Sequence, residues 1–190
     1  MHILGLLLLI AYLGGNTYIY IRGFSFSLLK KSRKTFRVLY SVLYWFLTLL
    51  FLMALGLRNW LLPEWLGHSM YQIGHVWLAF TLYMLPLLLL SEFIRLFKPS
   101  FNKGFSISYF ITIIVLGIGY YNYLHPEVTS VNISIDKPLA DSQKEYKVVL
   151  LSDLHLGYGR GTSAIRHYVK MVEKEQPDLV LIAGDLIDNS

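Results

Sequence analysis

Four long apolar segments occupy the N-terminal part of the chain, and a tail of shorter apolar runs follows them. The apolar segments lie at about Ile3–Ile21, Val38–Leu57, Ile73–Leu90 and Phe105–Tyr123. Each approaches the roughly 20 residues that a helix needs to cross a bilayer. The pattern therefore predicts a membrane region of four transmembrane helices over residues 1–124.

The first apolar segment admits two interpretations. Residues Ile3–Leu13 are similar to the apolar core of a cleaved signal peptide. However, no basic residue precedes them, no A-x-A-like cleavage site follows, and a dense basic cluster comes afterwards. These features favour an uncleaved transmembrane span.

Basic residues fall almost entirely in two of the predicted loops. The loop after the first span holds six Lys and Arg residues, and the loop after the third holds Arg95, Lys98 and Lys103. The loop between the second and third spans holds only Arg58. Because positively charged loops stay on the cytoplasmic side, we predict that both termini and the tail are extracytoplasmic.

Composition supports a membrane protein with a polar tail. Hydrophobic residues make up 55% of the chain, and the mean hydropathy is +0.49, which is high for a soluble domain. Residues 1–120 hold ten basic and two acidic residues, whereas residues 121–190 hold seven and ten. Because the tail is acidic and acidic surfaces repel phosphate backbones, we expect no nucleic-acid partner. The expected partner is the lipid bilayer. The absence of cysteine excludes disulfides and thiolate metal sites.

Some polar side chains lie in or near the predicted spans. They are Asn16, Gln72, His75, Glu92 and Arg95. Intramembrane ionisable groups often mark transport sites, but three of these lie at span ends, where headgroups and water solvate them. For His75, about one turn inside its span, we expect a neutral imidazole hydrogen-bonded to a neighbouring helix.

The tail predicts one separate strand and then a βαβ unit. Val128–Ile135 alternates apolar and polar residues, which is typical of a strand with one buried face. Lys147–Leu151 and Leu179–Ala183 are short apolar runs that predict buried parallel strands. An apolar stripe predicts a helix between them over Ser163–Glu175. Strand, helix and strand then form a right-handed βαβ unit.

Ligand-type side chains follow both strands of this unit. Asp153 and His155 leave the first strand two residues apart, so an extended backbone points both to one side. Asp185 leaves the parallel strand at the same sheet edge. Either motif alone is more typical of a loop cap, but together they predict a site for Mn²⁺, Fe²⁺ or Zn²⁺. Gly157 and Gly184 leave space around such ions.

The same two motifs resemble the opening motifs, D-x-H and G-D-x-x-D, of the calcineurin-like metallophosphoesterase superfamily. They stand here as Asp153-Leu154-His155 and Gly184-Asp185-Leu186-Ile187-Asp188. The resemblance implies an α/β domain of four layers (α/β/β/α), a two-layer β-sandwich flanked by helices, from residue 147 onward. Residues 125–146 would form a linker and a first strand.

The resemblance also implies a set of metal ligands and a reaction. Asp153 and His155 would ligate the first of two divalent metal ions, and Asp185 would bridge both. Asp188, Gly184 and Gly157 would position the metal ligands without binding the ions themselves. No catalytic residue beyond the metal ligands is identifiable. A metal-activated hydroxide would hydrolyse a phosphate mono- or diester, with a lipid-linked or cell-envelope ester as the substrate suggested by the membrane anchor.

The family's later Gly-Asn-His motif and downstream histidines do not occur before Ser190. We therefore expect the sequence to carry the first half of the site, truncated after the first βαβ unit, and to be inactive alone. The alternative function is that of a non-catalytic membrane scaffold or transport subunit with a degenerate phosphoesterase-like tail.

Overall fold

The computed structural model describes residues 2–24, 33–56, 63–134, 145–154 and 162–185. The chain forms two compact units. One comprises Met1–Trp60 and Ser69–Pro126, and the other comprises Leu61–His68 and Glu127–Ser190. The first unit holds the apolar helices except for the first residues of the third, and the second holds the polar tail.

Four long helices account for most of the first unit. They are α1 (His2–Phe24), α2 (Lys34–Gly56), α3 (Glu64–Phe97) and α4 (Gly104–Leu124). All four are long and apolar enough to cross a membrane, which confirms the predicted spans. The helices extend beyond their apolar centres because helical hydrogen bonding continues into flanking polar residues. Thus α3 begins well before Ile73, and Arg95, which the sequence placed in a loop, lies inside it.

The apolar side chains of these helices mostly face outward. The buried apolar core is small and consists of Ile19, Tyr44, Met84 and Leu88. Residues such as Leu8 and Phe110 are more than half exposed, at 63% and 64%. Such a surface matches a hydrocarbon environment, in which lipid tails cover apolar side chains and helices associate by close packing and polar contacts.

A polar cluster lies at the buried centre of the bundle, around Asn16. The Asn16 side-chain oxygen is within hydrogen-bond distance of four donors: Tyr44 Oη at 3.2 Å, Thr48 Oγ1 at 3.3 Å, Trp77 Nε1 at 3.2 Å and Thr81 Oγ1 at 3.3 Å. Its amide nitrogen donates to the Tyr12 carbonyl oxygen at 3.0 Å. These contacts join α1, α2 and α3, as interhelical hydrogen bonds do in membranes. They give Asn16 a packing role.

The structure corrects the partner predicted for His75. Its Nδ1 lies 2.7 Å from the carbonyl oxygen of Tyr71, one turn earlier in α3. The hydrogen bond is therefore made within the same helix and not to a neighbouring one. The Phe51 ring of α2 packs against the imidazole edge-on, with ring centroids 5.6 Å apart.

The predicted βαβ unit forms in the second unit. Its elements are β1 (Val148–Ser152), α5 (Thr162–Glu175) and β2 (Leu179–Ala183). The two strands are parallel, with the register running from Val148↔Leu179 to Ser152↔Ala183. The predicted strand positions are confirmed to within one residue, and the ends of both strands meet at one edge of the sheet.

The strand predicted over Val128–Ile135 is wrong for residues 128–134, which have no strand pairing, and Ile135 lies outside the described residues. Alternation indicates which face of a strand would be buried. A strand also needs a partner for its backbone hydrogen bonds. In the described part of the tail, β1 and β2 pair only with each other.

At the opposite end of the strand pair, hydrogen bonds between Asp178 and Lys147 connect the starts of β2 and β1. Asp178 Oδ2 accepts a hydrogen bond from the Lys147 backbone N–H at 2.8 Å, and Asp178 N–H donates to the Lys147 carbonyl oxygen at 2.8 Å. Lys147 Nζ also pairs with Glu175 Oε2 at 2.8 Å. The hydrogen bond and charge of Lys147 lower the pKa of Glu175 from its ordinary value of 4.5. This ion pair ties the end of α5 to the start of β1.

Candidate metal centre

The structure brings two of the predicted ligands to the same sheet edge. Asp153 directly follows β1, and Asp185 follows β2 after one glycine. The Asp153 backbone N–H donates to the Ala183 carbonyl oxygen at 3.1 Å, which continues the parallel ladder one step beyond the strands. The two acidic residues therefore share the carboxyl edge of the sheet, where open α/β sheets place their ligands.

The carboxylate of Asp153 lies directly against Gly184. A Cβ built on Gly184 would be 2.2 Å from Asp153 Oδ1 and 3.0 Å from its Cγ. Gly184 also has a φ of 80°, a left-handed conformation that glycine adopts without steric penalty. The position therefore requires glycine for two independent reasons.

A hydrogen bond connects the two motifs. The Asp185 backbone N–H donates to Asp153 Oδ1 at 3.4 Å. Asp153 is thus held through its own N–H by Ala183 and through its carboxylate by Asp185. Sequence reasoning missed this backbone donor. The signal that could have found it is a glycine after a strand, because a positive φ there turns the next N–H out of the ladder.

The local backbone differs from the extended geometry that the sequence argument assumed. Asp153 has a φ of 48°, in the left-handed region that Asp tolerates better than most residues. The extended backbone of β1 therefore ends in a turn at Asp153. Leu154 is buried at 9% exposure, whereas Asp153 and Asp185 are exposed.

The other predicted members of the site, His155, Gly157 and Asp188, lie outside the described residues. Within the ranges that the structure describes, no group of three or more His, Asp or Glu side chains is placed to hold a metal ion. The described part of the site is therefore a pair of carboxylates.

The donor chemistry of this pair fits a divalent cation. Asp153 and Asp185 both offer carboxylate oxygens, which suit Mn²⁺ and other hard divalent ions. Neither makes a salt bridge to Lys or Arg in the described part of the chain. Both carboxylates are exposed at this edge, so they could hold a divalent cation.

Comparison with protein families gives a match over the tail. Residues 146–190 match the family described as calcineurin-like phosphoesterase. The matched segment contains β1, α5, β2 and both acidic motifs. It coincides with the segment that carries both motifs of the resemblance, so the resemblance to this family is confirmed for the tail.

Several curated proteins are similar to the chain. An uncharacterized metallophosphoesterase of Campylobacter jejuni is 27% identical over 188 residues, which cover 92% of this chain and 48% of that protein. A Danio rerio transmembrane protein with metallophosphoesterase domain is 44% identical over 34% of this chain and 14% of its own length. A metallophosphoesterase of Helicobacter pylori is 31% identical over 50% of this chain and 26% of its own length. No solved structure gives a significant match.

The chain spans about half the length of the Campylobacter jejuni relative and less of the others. The similarity to that relative extends over the apolar helices as well as the tail. Together with the four apolar helices and the transmembrane relative, it supports a membrane protein that carries the beginning of a phosphoesterase domain.

Proposed function

We propose that this protein is a membrane-anchored, metal-dependent phosphoesterase, because residues 146–190 match the calcineurin-like phosphoesterase family. Residues 1–124 serve as the anchor, residues 125–146 as the linker, and residues 147–190 begin the catalytic domain. The observation that carries the proposal is the meeting of Asp153 and Asp185 at the carboxyl edge of β1 and β2.

Asp153 and Asp185 would hold divalent metal ions, with His155 as a further ligand and Asp188 in support. As the family resemblance implies, Asp153 and His155 would bind one ion and Asp185 both. Bound there, such ions supply a hydroxide nucleophile and stabilise the attacking and leaving oxygens of a phosphate ester. Mn²⁺, Fe²⁺ and Zn²⁺ all suit these donors.

The residues of this chain prepare the site before any ion binds. The hydrogen bond from Asp185 N–H holds one oxygen of the Asp153 carboxylate in place. This side chain therefore loses less rotational freedom when it binds a metal ion. Gly184 leaves the space that this carboxylate occupies. The exposure of Asp153 and Asp185 leaves the edge open to a substrate phosphate.

We also propose that the catalytic tail is extracytoplasmic. The basic residues of the first and third loops support this orientation. An anchored enzyme on that side of the membrane would act on phosphate esters at the membrane surface, such as lipid-linked or cell-envelope substrates.

Hydrolysis by the whole protein tests the proposed activity. Purified from its complete coding region, it should hydrolyse bis-p-nitrophenyl phosphate or p-nitrophenyl phosphate. The activity should be lost with EDTA and restored with Mn²⁺. Asp185→Ala should abolish it, whereas Asp178→Asn, at the opposite end of β2, should leave it unchanged because Asn keeps the oxygen that accepts from Lys147.

Metal-independent hydrolysis, or full activity in Asp185→Ala, would contradict the proposed mechanism. If the whole protein hydrolyses neither ester with Mn²⁺, Fe²⁺ or Zn²⁺, the scaffold or transport alternative is favoured instead.

A further inference from the structure

A basic cleft lies in the helical unit, where α1 and α3 end and α4 begins. Its volume is about 510 Å³, and its polar lining includes Arg22, Glu92, Arg95, Asn102 and Lys103. Three of these side chains are cationic and one is anionic, which leaves an excess charge of +2. The cleft is at the N-terminal end of α4, whereas the tail follows its C-terminal end.

The single carboxylate of the cleft is shared between two guanidinium groups. Arg22 pairs with one oxygen of Glu92, and Arg95 Nη1 lies 3.8 Å from the other. The ammonium group of Lys103 makes no salt bridge in the part of the chain that the structure describes. The positive charge of the cleft is therefore only partly balanced by protein groups.

One donor of the Arg22 guanidinium group is buried and unsatisfied. Arg22 Nε is inaccessible to solvent and has no hydrogen-bond partner among the described residues. Unpaired buried donors are unfavourable, and most in native proteins have an acceptor. A guanidinium group offers five N–H donors in a planar fork that matches the oxygens of a phosphate. The guanidinium groups of Arg22 and Arg95 and the excess positive charge of the cleft lining therefore suit an oxyanion such as a phosphate.

The surroundings of the cleft favour a phosphate that belongs to a lipid. Leu96 and Phe97, directly after Arg95, are both 77% exposed, and they extend the apolar surface of α3 as far as the charged end. Arg33 and Lys34 lie at the same end of the bundle, so an anionic membrane surface is attracted there. If a lipid headgroup lay in the cleft, its acyl chains would lie beside these exposed apolar side chains. A free phosphate ion would contact the cleft alone.

We propose that the basic cleft binds the phosphate headgroup of an anionic membrane lipid. Basic pockets between transmembrane helices bind anionic headgroups in this way. In the bound state, Arg22, Arg95 and Lys103 donate to the phosphate oxygens while Glu92 holds Arg22 in place. This lipid is distinct from the substrate of the proposed phosphoesterase, and the binding does not depend on that activity.

Competition between two lipids tests the proposal. The whole protein is purified in detergent with phosphatidylglycerol and phosphatidylcholine of equal chain length, and native mass spectrometry measures the retained lipids. The protein should retain phosphatidylglycerol preferentially. Arg95→Gln and Lys103→Gln should each reduce the preference about fivefold. Lys98→Gln is the matched control, since Lys98 is exposed at the same end but does not line the cleft, and it should retain the preference.

Three results would overturn the proposal. The first is equal retention of both lipids by the unaltered protein. The second is a loss in Lys98→Gln as large as in Lys103→Gln, which would mean that general surface charge is responsible. The third is displacement of phosphatidylglycerol by millimolar inorganic phosphate that itself binds lipid-free protein, which would make the cleft a site for soluble phosphate. Because Arg95 is half exposed and Lys103 is exposed, both variants should fold, and their unfolding temperatures check this.

Discussion

The carboxylate of Asp153 accepts a hydrogen bond from the backbone N–H of Asp185, with 3.4 Å between Oδ1 and N. The two residues belong to different motifs, one after β1 and the other after β2. Their contact joins the ends of the two strands, and it depends on the absence of a side chain at Gly184.

Gly184→Ala should therefore weaken the site without changing any ligand. The added Cβ would lie 2.2 Å from Asp153 Oδ1, and the φ of 80° strains any residue with a side chain. We expect a loss of about 10- to 100-fold in Mn²⁺ affinity, as for other substitutions of residues that position a metal ligand without binding the metal. Isothermal titration of the whole protein with Mn²⁺ measures this. Gly117→Ala, at a glycine with nothing within 4 Å, is the control, and equal affinities in both variants would contradict the role of Gly184.

The positions of the helices and strands were largely predictable, because they depend on local patterns. Length and hydropathy alone identified the four spans, and two short apolar runs identified β1 and β2. The start of α3 at Glu64 was not predictable in this way, because its first turns are less apolar than its centre. Alternation also predicted a strand at residues 128–134 that has no partner in the described structure.

The site was predictable only in part. Parallel strands with acidic ends place Asp153 and Asp185 at one edge, and this follows from sequence order. The left-handed φ of Asp153 and its contact with Gly184 depend on the approach of two chain segments about 30 residues apart. The glycine after β2 indicates a turn at that position, but no local pattern indicates which segment of the chain approaches it. The basic cleft was missed for the same reason, since Arg22 and Glu92 are 70 residues apart.

Asn16→Ala should destabilise the helical bundle. It removes the oxygen that faces hydroxyl and indole donors on α2 and α3 and leaves buried Tyr44 and half-buried Trp77 with fewer acceptors. We expect the free energy of unfolding to fall by about 1–3 kcal/mol. Reversible unfolding in mixed micelles measures it.

Thr17→Ala is the matched control, because the exposed Thr17 hydroxyl donates only to the Leu13 carbonyl oxygen of its own helix. It should change the stability by no more than about 0.5 kcal/mol. Equal stability of Asn16→Ala and Thr17→Ala would show that the polar cluster does not hold the helices together.

Acid should loosen the end of α5. Since Lys147 lowers the pKa of Glu175 below 4.5, their ion pair contributes stability above pH 4.5 and loses it as the pH falls through the lowered pKa. Hydrogen-exchange protection of the last turn of α5, corrected for intrinsic rates, should therefore decrease below pH 4.5. Glu175→Gln should show no such step, and Glu173→Gln should retain it. A step of the same size in Glu175→Gln would assign it to another group.

Reporter fusions should place both ends of the helical region outside the cytoplasm. The distribution of basic residues predicts that alkaline phosphatase fused after Pro126 is active, and that the same enzyme fused after Arg33 is inactive. The opposite pattern would reverse the orientation, place the tail in the cytoplasm and make soluble phosphate esters the expected substrates.

Metal binding at the carboxyl edge of β1 and β2 is the most direct test of the central claim. Asp153→Asn keeps a residue type that tolerates a positive φ but removes the charge, and Asp178→Asn makes the same change at the other end of the sheet. Titration of the whole protein with Mn²⁺ should show an affinity at least about 100-fold lower in Asp153→Asn than in the unaltered protein, with Asp178→Asn unchanged. Equal Mn²⁺ affinity in the unaltered protein and Asp153→Asn would contradict a metal centre at these strand ends.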